Sequence, residues 1–268
     1  MNDQADQLQA RLEFAVAVAA EVSELVMRCY HDASLVVERK GDDSPVTAAD
    51  REAEQWIRRR VADDWSGDGV LGEEFDETSG TSGYRWILDP VDGTKSFVHH
   101  VPLFGTLVGL EYEGQMVAGV CRMPGLDEVV YAATGLGAWW QQGRNEPQPA
   151  RVSETAELSE ALFCTTTITG WRTTGRQDVF DRLCGAAGLV RGWGDCYGHL
   201  LVATGRADVM VDAEMNIWDA AALLPILEEA GGHFVDLGGS VSIESGHGLS
   251  VNAALKDEVL AVIAGDGG

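Results

Sequence analysis

The chain is short of lysine and of positive charge in general. It carries 43 acidic side chains against 19 basic ones, and only Lys40, Lys95 and Lys256 are lysines. The formal net charge of −24 argues against a nucleic acid as partner, because basic stripes bind phosphate backbones. An anionic membrane surface is disfavoured for the same reason. A phosphate-bearing substrate would need local cations at its site, and metal ions can supply them.

Paired cysteines and long apolar runs are lacking as well. The five cysteines are scattered and none forms a C-x-x-C pair, so neither a zinc site nor a redox dithiol is expected. Unpaired cysteines favour a reducing compartment. No apolar run is long enough to span a membrane, and no basic region precedes an apolar stretch near Met1. We therefore expect a cytoplasmic protein.

Glycine, by contrast, is abundant, and the remaining composition is that of a globular protein. The 268 residues include 32 glycines and are 45% hydrophobic, which favours tight turns over a long helical bundle. The first half has one long amphipathic helix and then short strands, whereas the second half alternates strands and helices. Two prolines at 145–149 predict a boundary between an N-terminal α+β lobe, 1–148, and a C-terminal α/β lobe, 149–268.

Individual elements follow from the same patterns. Strands are predicted at 35–39, 84–88, 103–111, 117–122, 128–132, 138–140, 161–166, 209–212 and 249–252. Helices are predicted at 5–30, from Thr47 onward with Trp56, Ile57 and Val61 on the apolar side, and at 179–187, 197–204, 217–230 and 255–264. Prolines predict a break at 44–46, a turn at Pro90 that ends its strand, and a kink at Pro225.

The most informative segment is 86–97. Its apolar start predicts the end of a buried strand, and Asp89 and Asp92 follow it, three residues apart. Such a position lies at the mouth of an α/β sheet, where ligands bind. Two carboxylates on a stiff turn suit a hard cation such as Mg²⁺, and the amides of Gly93 and Thr94 suit a phosphate if they open a helix. A Pro/Asp/Gly turn without function is the alternative.

Three further acids lie outside this segment. Glu73 follows a short apolar step at 70–71, which places it at another possible strand end, although paired glutamates are common on solvated surfaces. Asp50 and Asp219 each stand three residues after a capping residue, Thr47 and Asn216, as in a reciprocal capping box. From the residues alone, helix capping explains these two aspartates slightly better than catalysis does.

Four motifs, in order, resemble those of the inositol monophosphatase superfamily. They are Val-Thr-Ala-Ala-Asp at 46–50, Gly-Glu-Glu at 72–74, Asp-Pro-Val-Asp-Gly-Thr at 89–94 and Trp-Asp-Ala-Ala at 218–221. The resemblance extends from Arg39 to the last helix. It implies a layered α/β/α/β/α sandwich and a Mg²⁺-dependent phosphomonoesterase that is a homodimer in many members. It also implies two or three Mg²⁺ ions per site, replacement by Mn²⁺ and inhibition by Li⁺.

The resemblance also implies residue roles. The metal ligands would be Glu73, Asp89, Asp92, Asp219 and the backbone carbonyl of Val91. The catalytic residues would be Glu73, Thr94 and Asp50, of which the last two orient the attacking water. The phosphate would be bound by Asp92, Gly93 and Thr94. Clustered metal ions activate water directly, so no protein nucleophile is required, and no arrangement of Ser, Cys and His in the sequence indicates one.

Within the superfamily, segment 191–208 resembles the histidinol-phosphate phosphatases. Trp193 and Asp195 stand where inositol monophosphatases carry small residues, and Asp212 falls where they have a sugar-binding glutamate. Histidinol phosphate carries an ammonium and an imidazole. A carboxylate offers such a cation a charge-assisted hydrogen bond, and an indole offers its ring face. The implied substrate contacts are Trp193, Gly194, Asp195, Asp212 and Asp219.

Several alternatives remain open at this point. Asp195 could simply cap a helix that begins near Cys196. The predicted activity is hydrolysis of a small phosphate ester, histidinol phosphate, in histidine biosynthesis. An inositol monophosphatase or a small-molecule phosphatase of broad specificity is the alternative within the same class. A non-catalytic metal- or phosphate-binding regulator is the alternative from another class, and it would normally have lost one of the acids or Thr94.

Overall fold

The computed structural model describes residues 2–32, 37–39 and 45–265 of the chain. The helices in these residues are α1 (Asn2–Tyr30), α2 (Ala48–Asp64), α3 (Thr94–Val98), α4 (Gly170–Thr173), α5 (Gln177–Ala186), α6 (Asp195–Ala203), α7 (Ile217–Ala221), α8 (Leu223–Glu229) and α9 (Lys256–Ala264). The strands are β1 (Val37–Arg39), β2 (Pro45–Thr47), β3 (Gly69–Gly72), β4 (Tyr84–Asp92), β5 (Gly105–Tyr112), β6 (Gln115–Met123), β7 (Glu128–Ala133), β8 (Gly137–Gln142), β9 (Gln148–Pro149), β10 (Leu162–Cys164), β11 (Leu189–Arg191), β12 (Val209–Asp212), β13 (Gly232–Val235) and β14 (Gly248–Asn252).

Two sheets organise these elements. The first has seven strands in the order β3-β4-β5-β6-β7-β8-β9, in which β3 and β4 are parallel and the later neighbours antiparallel. The second has five strands in the order β11-β10-β12-β14-β13, with a parallel part and an antiparallel part. The short strands predicted in the first half are therefore confirmed and form an antiparallel meander, and the predicted alternation of strands and helices in the second half is confirmed as well.

Helices cover both sheets and fill the space between them. One core packs α1 and α2 against the first sheet, a second packs α6, α7 and α8 between the two sheets, and a third packs α5 and α9 against the second sheet. The order of layers is α/β/α/β/α, as the family resemblance implied. Because helices lie on both faces of β4, its residues Trp86, Ile87 and Leu88 are all fully buried.

Two predictions about the first helices need correction. Pro45 and Val46 were expected in a break but lie in β2, which pairs antiparallel with β1. Proline is tolerated there because the hairpin is only two strands wide and β2 is an edge strand. Trp56 was expected on the buried side of α2 but is 38% exposed, with its indole N–H donating to Glu21 of α1. The predicted strand start at 35–36 lies outside the described residues.

Of two further predictions about proline, one was wrong and one is confirmed. The strand does not end at Pro90, because β4 continues to Asp92 through a bulge, in which three steps from Asp89 to Asp92 oppose two on β5. A bulge leaves residues out of the ladder, so the missing N–H of Pro90 costs no pairing. The predicted kink at Pro225 is confirmed, and it takes the form of a break at Ala222 between α7 and α8. Pro225 has no N–H for the carbonyl one turn earlier, so α7 ends at Ala221.

The structure adds elements for which no prediction was made, among them α3, β11 and β13. All are short, and β11 is an edge strand three residues long. β9 spans the expected boundary at 148/149 and pairs with β8, and the division into lobes stays a prediction. None of the helices in the described residues combines the length and the apolar character needed to cross a bilayer.

Candidate active site

A cluster of three aspartates lies at the end of β4. Asp89 precedes the bulge, Asp92 ends the strand, and Asp219 lies in the first turn of α7. One carboxylate oxygen from each lies within 4.8 Å of the other two. Hence the bulge and α7 bring together two acids three residues apart in sequence and a third that follows more than a hundred residues later. The predicted meeting of Asp89, Asp92 and Asp219 is observed.

The electrostatics of this cluster is unfavourable without a cation. Burial raises the pKa of Asp89 well above its usual value, and the charges of Glu73, Asp92 and Asp219 raise it further. Burial likewise raises the pKa of Asp92 and of Asp219. Hard oxygen donors that repel one another at this distance are the donor set that Mg²⁺ prefers. The residues therefore fit the ion that the family resemblance implied.

Glu73 lies near the cluster of three aspartates, close enough for its charge to raise the pKa of Asp89, on a turn held from α2. It follows β3 directly, and its N–H donates to the carbonyl of Leu88 at 3.3 Å. The carboxylate of Glu54 is fully buried, accepts from the N–H of Glu74 at 2.8 Å and pairs with Arg58 at 2.8 Å. A Cβ atom on Gly72 would lie 2.1 Å from a Glu54 oxygen, so this packing requires glycine.

Asp50 and Thr94 also meet, although they belong to different elements. The hydroxyl oxygen of Thr94 lies 3.4 Å from Asp50 Oδ1 and 3.1 Å from the carbonyl oxygen of Val91. Asp50 Oδ2 accepts from the backbone N–H and the hydroxyl of Thr47, which completes a capping box on α2. Burial raises the pKa of Asp50. Capping and proximity to Thr94 thus use different oxygens of one carboxylate.

Asp219 combines the same two features. Its Oδ2 accepts from the backbone N–H of Asn216 at 2.7 Å, and the capping box at the start of α7 is complete. The side chain nevertheless lies in the aspartate cluster. Capping and clustering, the two explanations that the sequence left open for Asp50 and Asp219, are therefore not exclusive.

The capping explanation of Asp195 is wrong. Asp195 itself is the first residue of α6 and has φ 51°, in the left-handed region, which turns its side chain away from the helix. Its carboxylate instead faces the start of α3, where a Cβ atom on Gly93 would lie 3.1 Å from Oδ2. The first turn of α6 is capped by Asp92, whose Oδ2 accepts from the N–H of Cys196 at 2.6 Å.

Burial and the nearby charge of Asp212 raise the pKa of Asp195 to about 7, which the charge of Lys95 and a hydrogen bond from Ser96 partly oppose. The backbone N–H of Asp195 donates to the hydroxyl of Thr166 at 2.6 Å. Gly194 packs against the same residue, since a Cβ atom there would lie 2.2 Å from Thr166 Cα. The backbone on either side of the Asp195 carboxylate is therefore tightly held.

A cavity of about 320 Å³ opens beside the cluster. Among the described residues, its lining includes the carboxylates Asp92, Asp195, Asp212, Glu214 and Asp219 and a single lysine, Lys95. Gly192 and Gly194 also line it, whereas Trp193 between them is 40% exposed. The cavity thus offers a cationic guest far more partners than an anionic one, except near Lys95 and the start of α3.

Lys95, Ser96, Thr166 and His199 line this cavity but were not singled out in the sequence. Lys95 follows the Asp-Gly-Thr motif directly and is one of three lysines, so its position could have been noticed. Thr166 and His199 carry no such signal. They reach the site because β10 and α6 pack beside β12, a long-range contact that local pattern does not encode.

Fold and cavity together define a layered α/β protein whose two halves jointly build an acidic pocket with a hard-metal donor set. Comparison with known proteins narrows this class. The family model of the inositol monophosphatases matches residues 7–265. The chain belongs to the inositol monophosphatase family.

Individual relatives agree with this membership. A histidinol-phosphatase from Chlorobaculum parvum is 45% identical over 253 residues, which are 94% of this chain and 96% of that protein. An inositol-1-monophosphatase from Rhizobium meliloti is 37% identical over 235 residues, covering 86% of each protein. The crystal structure of the extragenic suppressor protein SuhB from Bartonella henselae is similar with a TM-score of 0.85 at 28% identity, covering 95% of this chain and 98% of that one.

Proposed function

We propose that the protein is a Mg²⁺-dependent phosphomonoesterase that hydrolyses histidinol phosphate to histidinol and phosphate. The observation that carries this proposal is the meeting of Asp89, Asp92 and Asp219 beside a cavity lined by further carboxylates. The cluster supports metal-assisted phosphate chemistry. The other carboxylates of the cavity, Asp195, Asp212 and Glu214, form an acidic wall that supports a cationic leaving group. The similarity to a protein named histidinol-phosphatase supports the same substrate.

In this proposal the metal is held by oxygen donors from three elements. They are the carboxylates of Glu73, Asp89, Asp92 and Asp219 and the backbone carbonyl of Val91. Bound Mg²⁺ supplies positive charge against the phosphate and lowers the pKa of a coordinated water. Binding of two or three ions per site, replacement by Mn²⁺ and inhibition by Li⁺ belong to the proposal.

Thr94 and Asp50 are proposed to orient the attacking water. With Asp50 Oδ2 held by Thr47, Oδ1 is the oxygen left facing Thr94. A Thr94 hydroxyl that donates to Asp50 has its lone pairs available to accept a proton of the water. Glu73, the third proposed catalytic residue, lies close enough to raise the pKa of Asp89 and is the acid proposed to assist in placing the water.

The start of α3 is proposed to bind the phosphate. Gly93 precedes the helix with φ 78°, and the amides of Gly93 and Thr94 lie at its free N-terminal end. Lys95, which lines the cavity, adds positive charge beside them. Asp92 completes the proposed phosphate-binding set through a metal ion, because its carboxylate alone would repel the phosphate.

The leaving group is proposed to contact the acidic wall. Asp195 and Asp212 would bind the ammonium or the imidazole by charge-assisted hydrogen bonds. Gly194 and Asp219 complete the proposed lining of this end. Trp193, exposed beside it, would offer its ring face at the rim.

An inositol monophosphatase or a broad small-molecule phosphatase is the second candidate, and the similarity to a protein named inositol-1-monophosphatase favours it. A polyol, however, has no charge to match Asp195, Asp212 and Glu214, the carboxylates of this lining that are not proposed as metal ligands. A non-catalytic regulator is less well supported, since every acid of the proposed metal site and Thr94 are present. A homodimeric state, a cytoplasmic location and division into lobes at 148/149 complete the proposal.

The test compares esters at matched Mg²⁺. We expect phosphate release to require Mg²⁺ and to favour histidinol phosphate over inositol 1-phosphate. Asp195→Asn should raise KM for histidinol phosphate by about tenfold and leave KM for glycerol 2-phosphate nearly unchanged, because only the first has a cation to lose. Preference for the inositol ester would overturn the substrate, and absence of Mg²⁺-dependent release would overturn the activity.

A further inference from the structure

His199 lies behind the acidic wall of the cavity, in the middle of α6. Its ring is fully buried against two neighbouring strands of the second sheet, β12 and β14. Nδ1 lies 2.7 Å from the hydroxyl of Ser250 on β14, and Nε2 lies 3.3 Å from Oδ2 of Asp212 on β12. An imidazole with a partner at each nitrogen is fixed in both position and orientation.

The chemistry of these partners determines the tautomer. An ionised carboxylate can only accept, so the hydrogen bond to Asp212 needs the ring proton on Nε2. Nδ1 of the neutral ring is then an acceptor, and the Ser250 hydroxyl, which can serve either way, donates to it. The two hydrogen bonds therefore have the same direction: Ser250 donates to His199, and His199 donates to the carboxylate of Asp212.

Asp212 is held at both of its oxygens. Oδ1 accepts from the backbone N–H of Thr166 at 3.2 Å, and Oδ2 accepts from His199. The side chain is only 11% exposed, and Asp212 lines the cavity. Two donors on the protein side leave the remaining lone pairs of the carboxylate directed at a guest in the cavity.

We propose that His199 is a positioning residue that fixes the carboxylate of Asp212 toward the cationic end of the substrate, and so contributes to substrate selection. The inference rests on the proposed function, because it assigns Asp212 a cationic ligand. His199 itself touches no reacting atom. Its effect should therefore appear in binding of the cationic group and not in the chemical step.

Two amide variants of His199 separate this role from simple packing. A glutamine amide reaches the place of Nε2, so His199→Gln retains a donor for Asp212, whereas the shorter asparagine reaches only the place of Nδ1. We expect His199→Asn to raise KM for histidinol phosphate by about tenfold at unchanged kcat. His199→Gln should stay close to the wild-type KM, and neither variant should alter KM for glycerol 2-phosphate by more than about twofold.

A second measurement needs no substrate and no variant. Nitrogen-15 NMR of histidine-labelled wild-type protein should show His199 protonated at Nε2 alone. A ring protonated at Nδ1 alone would overturn the inference, and so would equal KM changes for both esters in His199→Asn. Failure of the proposed function would appear in the wild-type protein, which would then show no preference for histidinol phosphate. The NMR measurement of the His199 tautomer would still test the inference about His199 in that case.

Discussion

Single carboxylates in this site serve structure and chemistry at once. Asp92 caps α6 by accepting from the N–H of Cys196, and the same carboxylate belongs to the aspartate cluster. Asp219 closes the capping box of α7 with Asn216 and belongs to the same cluster. A carboxylate has about four lone-pair sites, so one oxygen can bind a backbone amide while the other remains available. The backbone thus holds each charged side chain in place before any cation binds.

Replacing Asp219 tests whether its charge serves stability or chemistry. Asp219→Asn keeps an oxygen for the Asn216 amide but removes a buried charge whose pKa burial raises. We expect Mg²⁺-dependent phosphate release to fall by about 100-fold or more, since even residues behind metal ligands cost ten- to a hundredfold. The metal-free protein should melt about 2 °C higher, because the buried charge is unfavourable at neutral pH.

Asp257→Asn is the matched control for this variant. Asp257 also lies in the first turn of a helix, α9, but is exposed. It should leave activity unchanged and lower the melting temperature slightly, through loss of a favourable contact with the helix N-terminus. Comparable losses of activity in both variants would show that the effect of Asp219 is not specific to the cluster.

The sequence located the acids of this site but not the residues that hold them. Asp89 and Asp92 follow an apolar strand, and Glu73 follows another, so the apolar runs that precede them were enough to find them. His199 and Ser250 lie on α6 and β14 and meet Asp212 only through packing of the second sheet. No local pattern relates these three residues, and their contact could not be predicted from one sequence.

At the scale of elements, Pro90 marks a place where the rule that proline ends a strand predicted the wrong strand boundary. Pro90 lies within β4 because a bulge removes it from the ladder, and the bulge is what brings Asp89 and Asp92 to one site. The carbonyl of Pro90 lies outside the ladder and accepts a hydrogen bond from the hydroxyl of Thr106 at 2.8 Å. The rule that proline ends a central strand holds for regular pairing, and a sequence does not reveal where pairing becomes irregular.

The turn that carries Glu73 depends on α2, and Glu54→Gln tests this dependence. A glutamine can still accept from the Glu74 amide but loses the charge that pairs with Arg58. Removing one partner of a buried pair should destabilise the protein by about 1–3 kcal/mol. We also expect the half-saturating Mg²⁺ concentration to rise by about threefold to tenfold, because a looser turn positions Glu73 less well.

Glu52→Gln provides the control on the same helix, where the side chain is exposed. It should change neither thermal stability nor the Mg²⁺ dependence of phosphate release. Isothermal calorimetry of Mg²⁺ binding measures the affinity without turnover. Equal affinities for wild type and Glu54→Gln would disprove the link between α2 and the metal site, even if stability falls as expected.

At the scale of the whole molecule, the acidic composition and the site act in the same direction. The chain carries a formal net charge of −24, and the part of the cavity that the structure describes repeats this excess with five carboxylates against one lysine. Such a protein repels an anionic phosphate until cations bind at the cluster, and then attracts a substrate with a positive end. Metal binding and folding stability should therefore be coupled, as they are wherever a buried site gathers like charges.

This coupling predicts how stability depends on pH and on Mg²⁺. Asp89, Asp92 and Asp219 have pKa values raised above 3.8 in the folded protein, and that of Asp195 is raised to about 7. The folded state thus binds more protons than the unfolded state between these pH values, so unfolding releases protons. The metal-free protein should lose stability as pH rises from about 4 to about 7.

Mg²⁺ should reverse this loss, because it replaces the protons that the acids give up. At a concentration about 100 times its Kd, Mg²⁺ should raise the melting temperature by about 5 °C or more, with a larger effect at pH 8 than at pH 5. Na⁺ at equal ionic strength separates this effect from general screening of the net charge. If Na⁺ raised the melting temperature as much as Mg²⁺, the stabilisation would come only from general screening of the negative charge. The carboxylate cluster would then not be a specific cation site.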